Sequence, residues 1–204
     1  MEEEFMDGKH LLTVGSAGTG KTYVALALAT REVHEGRASK IVIVRSAVPV
    51  RDIGFLPGDE AEKMAAYERA YGPIVNDIYG RDDAYGILKN KGVIKFEPTS
   101  FMRGMTWDDT IVIADEIENF SYAEVNTLMT RMGRNTRVIL CGDIVQNDLG
   151  REDSGYHLLM TVVPKMTRNF AIIKMGHDDI VRSPLVKEWI INVERHSDFY
   201  KTKR

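Results

Sequence analysis

Short apolar runs, mostly β-branched, recur along the chain at 11–14, 41–45, 93–96, 111–114, 138–141 and 170–175. Most are apolar on both faces instead of alternating. That is the pattern of strands covered on two sides in a parallel sheet. Between the runs the apolar positions move to helical spacing and predict helices over 21–35, 59–71, 122–131, 155–162 and 185–195. Alternation of this kind predicts an α/β fold, a parallel sheet with helices on both faces. In such folds ligands sit at the carboxyl ends of the strands. Residues 54–92 are the least regular. Gly54-Phe55-Leu56-Pro57-Gly58 is a turn signature, and the short helical pieces after it read as an insertion between strands of a single domain spanning 1–204.

The run at 11–14 leads directly into Gly15-Ser16-Ala17-Gly18-Thr19-Gly20-Lys21-Thr22, and Tyr23 opens an Ala- and Leu-rich helical stretch. This is G-x-x-x-x-G-K-[ST], a phosphate-binding loop. Glycines let the backbone curl into a nest of N–H groups around phosphate oxygens. Lys21 would place an ammonium on the β- and γ-phosphates, and Thr22 would offer a hydroxyl to Mg²⁺. The helix that begins here adds its positive N-terminal end, and Gly36 sits where that helix should stop. A plain glycine turn has no use for Lys21 and Thr22 at these positions.

The run at 111–114 ends in Asp115-Glu116. Placed beside a phosphate loop, Asp115 is the candidate metal ligand and Glu116 the candidate general base for an attacking water. The run at 138–141 leads into Gly142-Asp143-Ile144-Val145-Gln146, where Gln146 is suited to bond a γ-phosphate or orient the water. Two more strand ends carry nucleic-acid-binding residue types: Arg45 and Ser46 after the second run, and Thr99, Ser100 and Arg103 after the third. Phe101 and Trp107 either stack bases or belong to the core. Arg182 is the candidate cation for the γ-phosphate, in its own chain or a neighbour's, with Arg134 and Arg151 as competitors. His177 has no metal-ligand pattern.

Composition narrows the partners. The 204 residues carry a net charge of −3, so a nucleic-acid surface must be local. A lone cysteine, Cys141, cannot form an internal disulfide and reads as a small core residue. The acidic start and the lack of a long apolar run argue against secretion or membrane insertion. The expected location is the cytoplasm, a host's where the source is viral. The basic end, Lys201 to Arg204, reads as a solvated tail.

Taken together, the segments resemble the PhoH family of ATPases, relatives of superfamily 1 helicases. The resemblance rests on Gly15 to Thr22, on Gly54-Phe55-Leu56-Pro57-Gly58-Asp59, on Phe101-Met102-Arg103-Gly104, on Asp115-Glu116, on Gly142 to Gln146, and on Val181-Arg182-Ser183-Pro184. It implies a RecA-like P-loop NTPase core, ATP and Mg²⁺ as cofactors, ATP hydrolysis, action on single-stranded RNA or DNA, and hexameric rings. Such chains also carry a Gln-containing adenine-reading segment upstream of the loop, and no Gln precedes Gly15 here. Competing classes are a P-loop kinase, a GTP switch and a non-catalytic ATP-dependent module. The first would need an acceptor lid, and Asp115-Glu116 suits water activation better. The second would need Asn-Lys-x-Asp, and Asn90-Lys91-Gly92-Val93 lacks the Asp.

Overall fold

The computed structural model describes residues 1–46, 65–102, 104–143 and 154–201, with side chains described as far as residue 196. Its strands are β1 (His10–Gly15), β2 (Lys40–Arg45), β3 (Ile94–Pro98), β4 (Thr110–Asp115), β5 (Arg137–Gly142) and β6 (Phe170–Met175). They form one sheet in the order β3-β2-β4-β5-β1-β6. Every strand pair is parallel. The helices are α1 (Glu2–Met6), α2 (Lys21–His34), α3 (Tyr71–Tyr79), α4 (Ala84–Asn90), α5 (Tyr122–Met129), α6 (Gly155–Val162) and α7 (Pro184–Lys201).

The two apolar faces of the strands sort into two cores, as a period of two requires. Ile41, Ile43, Ile111, Ile113 and Ile139 pack with α2, α3 and α4 through Leu26, Tyr71 and Ala84. Val42, Val44, Val112, Ala114 and Leu140 pack with α5 and α6 through Val125, Leu128 and Leu159. The sheet is therefore covered on both faces, and the strand expectations hold to within about a residue or two at each end. Cys141 is buried in the first core and Trp107 in the second. Trp107 is thus a core residue, whereas Phe101 stands 58% exposed.

The helix expectations hold less evenly. Only the end of the predicted helix at 59–71 lies among the described residues: 65–68 are helical, a turn follows, and Tyr71 opens α3. The short helix α1 was not expected. A five-residue segment shows no period, and it is anchored by the fully buried Phe5, whose ring lies 3.9 Å from the Arg137 guanidinium. Helix α5 begins with a reciprocal cap in which Ser121 Oγ accepts the Glu124 N–H and Glu124 accepts the Ser121 N–H at 2.7 Å.

Candidate nucleotide site

Strand β1 ends at Gly15, and the loop after it turns through Gly18 at φ 75° and Gly20 at φ 81°. Both lie in the left-handed region that a Cβ disfavours, which suits glycine at position 20, fixed by the motif, and at position 18, which the motif leaves open. Gly20 is also the N-cap of α2, so the loop passes straight onto the positive end of a 14-residue helix. Lys21 Nζ donates to the carbonyls of Gly15 at 2.8 Å and Ser16 at 2.7 Å. Thr19 Oγ1 donates to Ser16 O at 2.9 Å. The lysine thus closes over its own loop, with its ammonium at the loop's centre. Tyr23, the first residue after the motif, donates its hydroxyl to Asp77 of α3 at 2.9 Å.

Parallel pairing brings the second half of the site alongside. Thr22 Oγ1 donates to Asp115 Oδ1 at 2.9 Å across a separation of 93 residues. Tyr71 donates to the other oxygen, Oδ2, at 3.0 Å. Asp115 is 7% exposed, and burial raises its pKa against the opposing pull of Thr22, Tyr71 and Arg45. Burial also pushes the Tyr71 phenol well above its ordinary value. A cavity of about 170 Å³ lies here, bounded by Ala17, Lys21, Thr22, Asp115, Glu116 and Gly142.

Glu116 has φ 54°, a left-handed backbone in a non-glycine residue. In a continuing strand it would face away from Asp115. The left-handed turn breaks that alternation, and its carboxylate forms an ion pair with Arg45 at the end of β2. Asn119 Nδ2 stands 3.4 Å from the same oxygen. Burial raises the pKa of Glu116, opposed mainly by Arg45.

Sequence reasoning missed three residues. Glu118 lines the cavity at 3% exposure and accepts the Asp143 N–H at 2.9 Å. Burial lifts its pKa to about 7. An acid between Ile117 and Phe120 was the only available signal. Tyr71 comes from the irregular region, and nothing local links it to Asp115. Glu194 of α7 accepts Ser16 Oγ at 3.0 Å, and His177 Nε2 lies 2.6 Å from the same carboxylate oxygen. His177 is therefore a partner of Glu194, in keeping with its lack of a metal-ligand pattern.

Arg182 meets the phosphate loop of its own chain. A Cβ built on Gly18 would stand 2.9 Å from Arg182 Cγ and 3.3 Å from its Nε. The neighbouring Val181 N–H donates to Gly18 O at 3.0 Å. Arg134 is exposed and pairs only loosely, at 3.9 Å, with Asp108. Gln146, Arg103 and Arg151 lie outside the described residues. Of the strand-end residues, Ser46 Oγ donates to Glu124 Oε1 at 3.1 Å, and Thr99 Oγ1 donates to the same oxygen. Ser100 is exposed.

A family profile described as PhoH-like protein matches residues 3–194. The chain belongs to the PhoH-like family. A PhoH-like protein of Bacillus subtilis is 35% identical over 181 residues, 87% of this chain and 56% of that protein. Protein PhoH of Escherichia coli is 34% identical over 186 residues, 88% of this chain and 52% of its own length. This PhoH-like chain thus spans about half the length of the curated relatives it matches. Among solved structures, the Pif1 helicase from Candida albicans is a distant likeness. It matches 86% of this chain and 38% of that chain at 14% identity, with a TM-score of 0.39.

Proposed function

We propose that this PhoH-like chain binds ATP with Mg²⁺ and hydrolyses it. The observation that carries the proposal is the contact of Thr22 with Asp115 at 2.9 Å, next to the Lys21 loop. A hydroxyl and a carboxylate oxygen side by side are hard donors suited to Mg²⁺, which keeps water and phosphate oxygens as its remaining ligands. Among the described residues no three of His, Cys, Asp and Glu converge on one point. A magnesium site of this kind needs no such cage. When bound, the ion would neutralise charge developing on the phosphates.

The chain's own groups then divide the work. Backbone N–H groups of Gly15 to Thr22 and the N-terminus of α2 bind the phosphates. Lys21 holds the β- and γ-oxygens. Glu116 accepts the proton of the attacking water, a contribution of about 10²–10⁴-fold. Arg182 supplies a further cation from within the same chain, a reading supported by its seat on Gly18. Gln146 orients the water.

Two finer readings belong to the proposal. Single-stranded RNA or DNA acts at the ends of β2 and β3 through Arg45, Arg103 and the exposed Ser100 and Phe101, while Ser46 and Thr99, buried against Glu124, support the two loops. The chains associate as a hexamer. Association is supported by the outer side of α7, where Leu185 is 75% and Trp189 69% exposed, with Val186 and Val193 also exposed. Phosphate release measured with and without single-stranded RNA tests the activity. Release that requires Mg²⁺ and is lost in Lys21→Ala supports the proposal. No release with intact nucleotide binding would leave an ATP-dependent binding module.

A further inference from the structure

The general base of the proposed reaction is already engaged. Glu116 Oε2 is held by the Arg45 guanidinium and lies 3.4 Å from Asn119 Nδ2. Register explains the meeting: β2 pairs with β4 so that Arg45 lies opposite Asp115, and the left-handed turn at Glu116 brings the next carboxylate back to Arg45. The Tyr67 ring sits over the guanidinium, 4.7 Å from centroid to Cζ. The Arg45 side chain is 16% exposed and that of Glu116 38%. The groups acting on Arg45 are Glu116, Tyr71 and Asp115, so the guanidinium lies in a mainly anionic setting.

We propose that Arg45 is a latch on Glu116, opened by a phosphate oxyanion that competes for its guanidinium. The inference rests on the reading of the site as one that hydrolyses ATP. Arginine's planar fork takes carboxylate or phosphate oxygens in the same geometry, so one anion can replace the other without rebuilding the pocket. Replacement is favoured over simple opening, because an emptied pair would leave a partly buried guanidinium uncompensated. While latched, Glu116 has its outer oxygen on donors and is turned away from a proton-accepting role. Once released, it takes a proton from water as the water oxygen bonds to the γ-phosphorus. The bond from that phosphorus to the bridging oxygen breaks, and its electron pair leaves with ADP. Arg45 is therefore a positioning residue, acting through Glu116.

The oxyanion has two possible sources: the terminal phosphate of a nucleotide in the cavity that Glu116 lines, or a phosphodiester of nucleic acid at the end of β2. Binding alone distinguishes them. The ligands are a non-hydrolysable ATP analogue with Mg²⁺ and a fluorescent single-stranded oligouridylate, titrated separately. Glu116→Gln keeps the shape and frees Arg45, so affinity for the competing ligand should tighten by about 5–100-fold, the usual size of a coupling. The ligand that tightens names the source. In an Arg45→Gln background the same change should tighten neither. Arg45→Lys keeps the charge without the fork and should retain a smaller coupling, which also covers the case of an unfolded Arg45→Gln.

Unchanged affinity for both ligands in folded Glu116→Gln would overturn the latch. So would tightening that persists in Arg45→Gln, since that is plain relief of charge repulsion. Wild-type protein that binds no ATP analogue would refute the site reading instead, leaving the oligouridylate titration to decide the latch. No binding of either ligand would overturn both.

Discussion

The phosphate loop and the strand-end loops after β2 and β3 carry similar polar residues but differ in what those residues do. Around the loop, Lys21, Thr22 and Asp115 converge on one cavity. At the other edge, Ser46 and Thr99 both turn inward to Glu124, and Arg45 turns to Glu116. The first set lines an open cavity while also bonding within the protein, Lys21 to loop carbonyls and Thr22 to Asp115. The second is held against carboxylates, the two hydroxyls on Glu124, which also caps α5, and Arg45 on Glu116. Hydroxyls and an arginine in a strand-end loop therefore do not by themselves mark a binding surface. What separates the two regions is that Lys21, Thr22 and Asp115 line a cavity, whereas Ser46 and Thr99 are buried against Glu124.

Five changes would sharpen or break that contrast. The largest effect is expected for Lys21→Ala, which removes the ammonium at the centre of the loop. Titration with a non-hydrolysable ATP analogue should find no saturable binding, while the thermal transition stays close to wild type.

Next come Glu116→Gln and Arg182→Ala, which should lower phosphate release by about 10²–10⁴-fold and up to roughly 10³-fold without abolishing nucleotide binding. Because Arg182 sits on Gly18 of its own chain, mixing the two variants should restore nothing. Recovery of activity in mixed oligomers would move Arg182 to a neighbour's site.

Glu118→Gln should act on stability. Burial raises its folded pKa from 4.5 to about 7, so the fold favours the protonated form. Its stabilising contribution is complete below about pH 4.5 and is lost as the pH rises through 7. At pH 8 the ionised carboxylate costs about 3 kcal/mol. The variant should be more stable than wild type at pH 8 and nearly equal at pH 4, as read from denaturant midpoints. A constant difference across that range would contradict the account. The smallest effect is expected for Thr99→Val, which removes a hydrogen bond to Glu124. A loss of about 1–2 kcal/mol in stability, with oligouridylate affinity unchanged, would place Thr99 in the scaffold. A large loss of affinity would return it to the nucleic-acid surface.

Much of the site was legible because its chemistry is local. Strands buried on both faces announce themselves as continuous apolar runs, and the glycines, Lys21 and Thr22 stand at spacings that only a phosphate loop requires. Asp115 could be placed because it ends such a run. Tyr71, Glu118 and Glu194 were not legible, because each reaches the site through tertiary contact. Tyr71 lies 44 residues from Asp115, and Ser16 lies 178 residues from Glu194. No period or motif encodes such meetings. The inward turn of Ser46 and Thr99 was hidden for the same reason, since it depends on where the cap of α5 falls.

The central claim is that Thr22 and Asp115 together hold the magnesium that accompanies the nucleotide. The most direct test is a cycle of Thr22→Ala, Asp115→Asn and their double variant, in which affinity for a non-hydrolysable ATP analogue is measured with Mg²⁺ and with chelator. Each single variant should lose most of the Mg²⁺-dependent gain, and the double variant should be little worse than either, as expected of two groups acting through one ion. A Mg²⁺-dependent gain that survives in the double variant, or losses that simply add, would contradict the account.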